Sequence, residues 1–187
     1  DMQSWPGNHP SFGAGTISHF LAPYVNVGGS LDYEPGTDYP KISGDMALWW
    51  VYNDKGNVHT ETDALPIGLE LHTMAFAFST NDEINNMTFY RTEVINRASD
   101  YIDKCYFGQW VDPDLGNYAD DYVGCDVPRS LGICYNGDDN DDGILGYGLN
   151  PPTVGVDFFR GPRDEFGYLL GMAKFVYYDN DFTPYGN

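Results

Sequence analysis

In "IGLELHTMAFAFS" (67–79) the large apolar residues fall on Ile67, Leu69 and Leu71. Around Thr73 they change parity to Met74, Phe76 and Phe78. A spacing of two is the period of a strand, and a one-residue slip exchanges its faces. The switch therefore predicts a β-bulge, or a strand covered on both sides. Other short runs follow the same logic. "ALWWVY" (47–52) reads as a buried strand, "NDKGN" as a turn and "VHTET" as its return strand. "NMTFYRTEVINRA" (86–98) and "YIDKCYFGQWV" (101–111) read as two further strands, rich in β-branched and aromatic residues. "LGICYN" (131–136), "TVGVDFF" (153–159) and "YLLGMAKFVYY" (168–178) follow. Only "TNDEINNM" (80–87) offers a short helical turn, with Thr80 or Asn81 as N-cap. The pattern predicts an all-β fold, an antiparallel β-sandwich of roughly eight strands. Residues 1–45, rich in Gly, Pro, Ser and Asn, read as an irregular lead-in that packs Trp5, Phe12 and Tyr33 onto a sandwich body spanning 46–187, one domain overall.

Charge narrows the partners. The chain carries 28 acids against 9 bases, a formal net charge of −19, and no Lys/Arg cluster. Nucleic-acid binding is excluded, since phosphate contacts need such clusters. No apolar run is long enough for a transmembrane helix, so membrane insertion is not expected. The acids are concentrated: from Asp112 to Asp142, 31 residues hold nine acids and one base, Arg129. Two carboxylates about 4 Å apart repel by roughly 4 kcal/mol at an effective dielectric near 20. Converging carboxylates therefore need a cation, a proton or water.

Asp138, Asn140 and Asp142, followed by Gly143, match the first half of a calcium loop, D-x-[DN]-x-[DN]-G. The twelfth position is Leu149 instead of Glu, so another segment must close the coordination sphere. "WVDPDLGNYADDYVGCD" offers Asp112, Asp114, Asp120, Asp121 and Asp126 for that purpose. Oxygen ligands without His or Cys point to Ca²⁺. The expected metal set is therefore Asp112, Asp114, Asp120, Asp121, Asp126, Asp138, Asn140 and Asp142, in long acidic loops. The bland alternative is a solvated acidic loop.

Of the three cysteines, Cys125 and Cys134 flank "DVPRSLGI" and are expected to form a disulfide, which leaves Cys105 free or paired elsewhere; the alternative is three buried thiols. Trp110, Tyr118, Tyr122 and Tyr135 are candidate stacking platforms for sugar rings. A glycoside hydrolase needs two carboxylates about 5–10 Å apart, and Asp157, Asp164 and Glu165, or Asp121 and Asp126, are the pairs on offer. His9, His19, His59 and His72 are isolated, and no nucleophile motif occurs. Arg160 and Arg163 are expected to salt-bridge the acidic loops. The opening "DMQSWPGNHP" lacks an initiator Met and a signal pattern, so the chain reads as a mature protein or a piece of a longer one.

"ALWWVYNDKGNVHTET", "AFAFSTNDEINNMTFYRTEVINRAS", "YFGQWVDPDLGNYADDYVGCD" and "NPPTVGVDFFRGP" resemble a β-rich module of large secreted or surface proteins of Bacteroidetes-type bacteria. The resemblance spans roughly 44–182, and its most specific part is W-V-D-x-D-L-G-x-x-x-D-D-Y-V-G-x-D. It implies export through the type IX secretion system to an extracellular or cell-surface location, with no established enzymatic activity. The function expected from all this is a non-catalytic structural or adhesive module stabilised by Ca²⁺. The partner would be a surface glycan, a protein or a second copy of the chain. A carbohydrate-binding module is the alternative, and a hydrolase stands third.

Overall fold

A computed structural model describes residues 22–30, 33–178 and 184–185. The chain is all-β and antiparallel, with helix limited to 3₁₀ turns among the described residues. Trp5, Phe12, His9 and His19 lie outside those residues. The chain divides into two compact units, one running to Cys105 and one starting at Tyr106.

In the first unit, β1 (Tyr24–Val25) pairs with β2 (Tyr39–Pro40), and Tyr33 meets Tyr24 edge-on at 5.3 Å. Its main sheet is a meander of β3 (Met46–Asn53), β4 (Leu69–Ala77) and β5 (Thr88–Asn96), in that spatial order. Even-numbered residues of β3 share a face with odd-numbered residues of β4, because Trp50 lies opposite Thr73 and Leu48 opposite Ala75. The other face carries the packed aromatics. There Phe76 stacks on Phe89 at 5.4 Å, Phe78 meets both edge-on, and Trp49 stands edge-on to His72.

The parity switch at Thr73 is not a bulge. Pairing runs unbroken from Leu69 to Ala77 on both sides of β4, and no β4 residue is exposed. Neither reading of that switch is found as stated. β4 is central, flanked in-plane by β3 and β5, while the face that carries Thr73, Ala75 and Ala77 has, among the described residues, no second layer over its exposed neighbours Leu48, Tyr52 and Tyr90. A strand between two others can afford large residues on either face, so the switch needs no slip in register.

Three expected strands fail, each for a local reason. "VHTET" is a turn: Asp54 captures the amides of Ile67, Gly68 and Leu69, so the chain rejoins β3 at Leu69. "YIDKCYFGQWV" stays irregular and passes through Lys104 at φ 54°, a left-handed conformation that breaks an extended path. Within 168–178 only β11 (Tyr177–Tyr178) is a strand, paired with β12 (Pro184–Tyr185). Upstream of it, among the described residues, the pairing stops at one isolated antiparallel bridge, Arg163 with Leu169, in which Leu170 N–H donates to the Pro162 carbonyl, and Met172 N–H donates to the Ser130 hydroxyl. The expected helical turn exists as a 3₁₀ turn at Glu83–Asn86. Its cap is Asp82, which accepts from Ile84 N–H and from the Thr80 hydroxyl.

The second unit is built on β6 (Asp121–Asp126), β7 (Leu131–Asn136) and β10 (Thr153–Asp157), with β7 central. The β6–β7 hairpin is closed by a 3₁₀ turn, Val127–Arg129. Asp126 caps that turn and Ser130 ends it at φ 57°. Two short strands, β8 (Asn140–Asp141) and β9 (Gly148–Leu149), pair beyond it.

Candidate functional site: the acidic loops

The aspartates do not face one another around a common point. Their carboxylates accept hydrogen bonds from backbone N–H groups of loops, and the most buried of them is a residue outside the expected metal set. Asp141, 2% exposed, accepts from Asn117 N–H at 3.0 Å and from Tyr147 N–H at 2.8 Å. It thereby ties the loop before the Tyr118–Asp120 turn to the β8–β9 connection. Two glycines make room for it. At Gly116 (φ +71°) a Cβ would lie 1.9 Å from the Asp141 carboxylate, and at Gly146 a Cβ would lie 2.2 Å from its carbonyl oxygen.

Asp138, Asn140 and Asp142 form a local chain of bonds instead. Asp138 accepts from Asn140 N–H at 2.8 Å, and the Asn140 amide donates to Asp142. The alternation that selected these three put Asp141 on the opposite side of the strand, and the opposite side is the inward one. Asp112 and Asp114 lie exposed ahead of buried Leu115. Asp126 pairs with Arg129, whose guanidinium holds the carboxyl below its ordinary range.

Asp121 accepts from Leu115 N–H at 3.0 Å, but burial pushes its carboxyl up. That hydrogen bond opposes the shift, while Asp120, Asp141 and Asp114 add repulsion. The Oδ1 atoms of Asp120 and Asp121 and the Nδ2 of Asn136 are buried without a hydrogen-bond partner. Burial, with a contribution from Asp121, also raises the Cys134 thiol.

Two expectations are overturned here. Among the described residues, no group of three or more His, Cys, Asp or Glu side chains is placed to hold a metal ion. The calcium set of Asp112, Asp114, Asp120, Asp121, Asp126, Asp138, Asn140 and Asp142 is therefore withdrawn. The physical reason is that they do not converge: Asp121, Asp126, Asp138 and Asp142 accept bonds from backbone amides and neighbouring side chains, while Asp112 and Asp114 stand exposed. The Cys125–Cys134 disulfide also fails. All three thiols are free, with Cys105 and Cys125 exposed and Cys134 buried. Cys125 lies opposite Gly132 and Cys134 opposite Val123, so the two are diagonal neighbours in the ladder. Diagonal positions lie about 7–8 Å apart, whereas a disulfide needs Cβ atoms within about 4.5 Å.

The same use of carboxylates recurs in the first unit, where no site was expected. Asp38, 4% exposed, accepts from Val27, Gly28 and Glu34 N–H groups at 2.8, 3.4 and 2.9 Å. The Glu34 bond does most to lower its carboxyl pKa. Partial burial pushes Asp54 up, but amides of Ile67, Gly68 and Leu69 together pull it below the ordinary value. Both stand next to a strand end, Asp38 just before β2 and Asp54 just after β3, and each holds the loop that leads to or from it.

Of the aromatic candidates, Tyr122 and Tyr135 lie opposite each other in the β6–β7 hairpin. Their rings stack at 6.2 Å, exposed by 59% and 40%. Trp110 and Tyr118 are exposed, outside that ring pair. Arg163 donates to the Gly167 carbonyl rather than to an acid. A depression of about 400 Å³ is lined by Asn117, Gly143, Ile144 and Leu145, none of them a candidate acid or base. Comparison with family models, curated proteins and solved structures finds no match.

Proposed function

We propose that the chain is a non-catalytic extracellular or cell-surface module with a structural or adhesive role, exported as the resemblance to type IX secretion cargo implies. One observation carries the reading: the inward carboxylates of Asp38, Asp54 and Asp141 are committed to backbone amides. A carboxylate saturated by N–H donors holds a loop in shape and is poorly placed to shuttle protons. The acids thus serve rigidity, and function falls to exposed sheet surfaces. A sandwich architecture belongs to this proposal too, because a sheet with an uncovered apolar face calls for a second layer.

The stacked pair Tyr122–Tyr135 favours a glycan as the partner. Two exposed aromatic rings, 6.2 Å apart and tilted by 26°, offer an apolar surface of the kind sugar rings stack on, and the polar pair Asp121 and Asn136 lies at one end of the ladder. The test offers a panel of immobilised glycans and polysaccharides and reads retention and release of reducing ends together. Retention without release is expected, with Tyr122→Ala and Tyr135→Ala each losing the retention. Release of reducing ends contradicts the non-catalytic reading. Retention that survives both substitutions contradicts the tyrosine site.

A further inference from the structure

One face of the β3–β4–β5 sheet carries no charge. Register places four residues of β3 and five each of β4 and β5 on it, and none of the fourteen is Asp, Glu, Lys, Arg or His. The opposite face holds Glu70, His72, Arg91 and Glu93. In a chain of net charge −19, an uncharged face of this extent is a departure that calls for a cause. Its flanking residues also stand in solvent. Met46, Leu48, Trp50, Tyr52, Tyr90 and Val94 are each between 36% and 67% exposed. Between those flanks the central strand contributes Leu69 and Leu71 at one end and small residues, Thr73, Ala75 and Ala77, over the rest, which leave a shallow trough along that part of β4.

We infer that this face packs against the same face of a second copy of the chain, closing a two-layer β-sandwich across a dyad. Area supports that occupant. Six large side chains of about 200 Å² each, half exposed, offer about 600 Å² per copy. Two copies then bury about 1,200 Å², the lower end of what specific interfaces use. Shape supports it as well, since sheets stacked about 10 Å apart at about −30° bring the ridge from β3 of one copy over the trough of the other. Charge supports it by elimination: the face presents nothing for a charged ligand to read, whereas an identical uncharged face loses no hydration of ions on contact. The remaining acids repel across the dyad, so the association strengthens as salt screens them.

Light scattering on the eluting chain tests this, over a range of concentrations at about 0.05 M and 0.5 M NaCl, where the Debye length falls from about 14 Å to about 4 Å. The expected mass rises from one chain toward two with concentration, and does so at lower concentration in high salt. Leu48→Glu and Leu48→Lys should each restore the single-chain mass, and mixing the two should return the two-chain mass at low salt. Tyr90→Lys, at the far edge of the face, should act like Leu48→Lys and decides the matter should the Leu48 variants lose their β-sheet spectrum. A wild-type chain of single mass under every condition overturns the inference, as does a two-chain mass indifferent to these substitutions.

Discussion

Replacing Asp141 by Ala removes one carboxylate and leaves two loop amides, those of Asn117 and Tyr147, without their acceptor. A hydrogen bond to a charged group is worth about 1.5–3 kcal/mol when one partner is deleted. Two such bonds set an upper limit of about 6 kcal/mol, and water entering the vacated site lowers the expected loss to about 3 kcal/mol. For a unit the size of the one beginning at Tyr106, 1 kcal/mol moves the melting midpoint by about 4–8 °C, so Asp141→Ala should lower it by about 12–24 °C. Asp141→Asn should lose about half as much, because its oxygen still accepts one amide while its NH₂ faces the other. Gly116→Ala should approach the alanine loss by a different route, since its Cβ would overlap the carboxylate and sit at positive φ. Circular dichroism melts of the three variants, with and without chelator, give the readout. A shift under about 3 °C for Asp141→Ala would refute the reasoning, because it leaves less than 1 kcal/mol for two buried charged bonds.

Asp121→Asn should stabilise the chain at neutral pH. The folded-state pKa of Asp121 is raised above 3.8, so its favourable contribution is complete below that value and lost as pH rises through the raised one. The gain in melting temperature should therefore vanish near pH 3, and a gain equal at both pH values contradicts the assignment. Asp38, Asp54 and Glu70 run the other way: their lowered values mean stability held above the unfolded pKa and lost on acidification, so Glu70→Gln should cost stability at neutral pH but little near pH 3. Thiol labelling of the native chain without reductant should modify Cys105 and Cys125 promptly and Cys134 only on unfolding. Two labels fewer than three on the denatured, unreduced chain would restore the disulfide.

The strand cores were legible because their signal is local. "ALWWVY", "TFYRTEVIN", "LGICYN" and "TVGVD" each carry enough β-branched and aromatic residues to declare themselves. The failures share a cause of longer range. "VHTET" has strand composition, but Asp54 fixes the chain's return at a point 15 residues along in sequence, through its bond to Leu69. β6 hid inside the acidic segment, since "DYVGCD" begins and ends in Asp and reads as loop. Its pairing with β7 is what supplies the strand. The calcium motif misled because spacing alone cannot say which parity of a short strand turns inward. Asp141, skipped by the motif, is the buried one, and its partner Asn117 lies 24 residues away. Burial, rather than the local sequence, determines which acid is structural.

The account rests on carboxylates holding loops through backbone amides without help from a cation. Amide hydrogen exchange in the presence of EDTA tests it most directly, followed at Asn117 and Tyr147 for Asp141, at Val27 and Glu34 for Asp38, and at Gly68 and Leu69 for Asp54. Slow exchange at all six sites is predicted in chelator, with each pair released only when its own aspartate becomes Ala. Rapid exchange in EDTA that slows on adding Ca²⁺ would contradict the account.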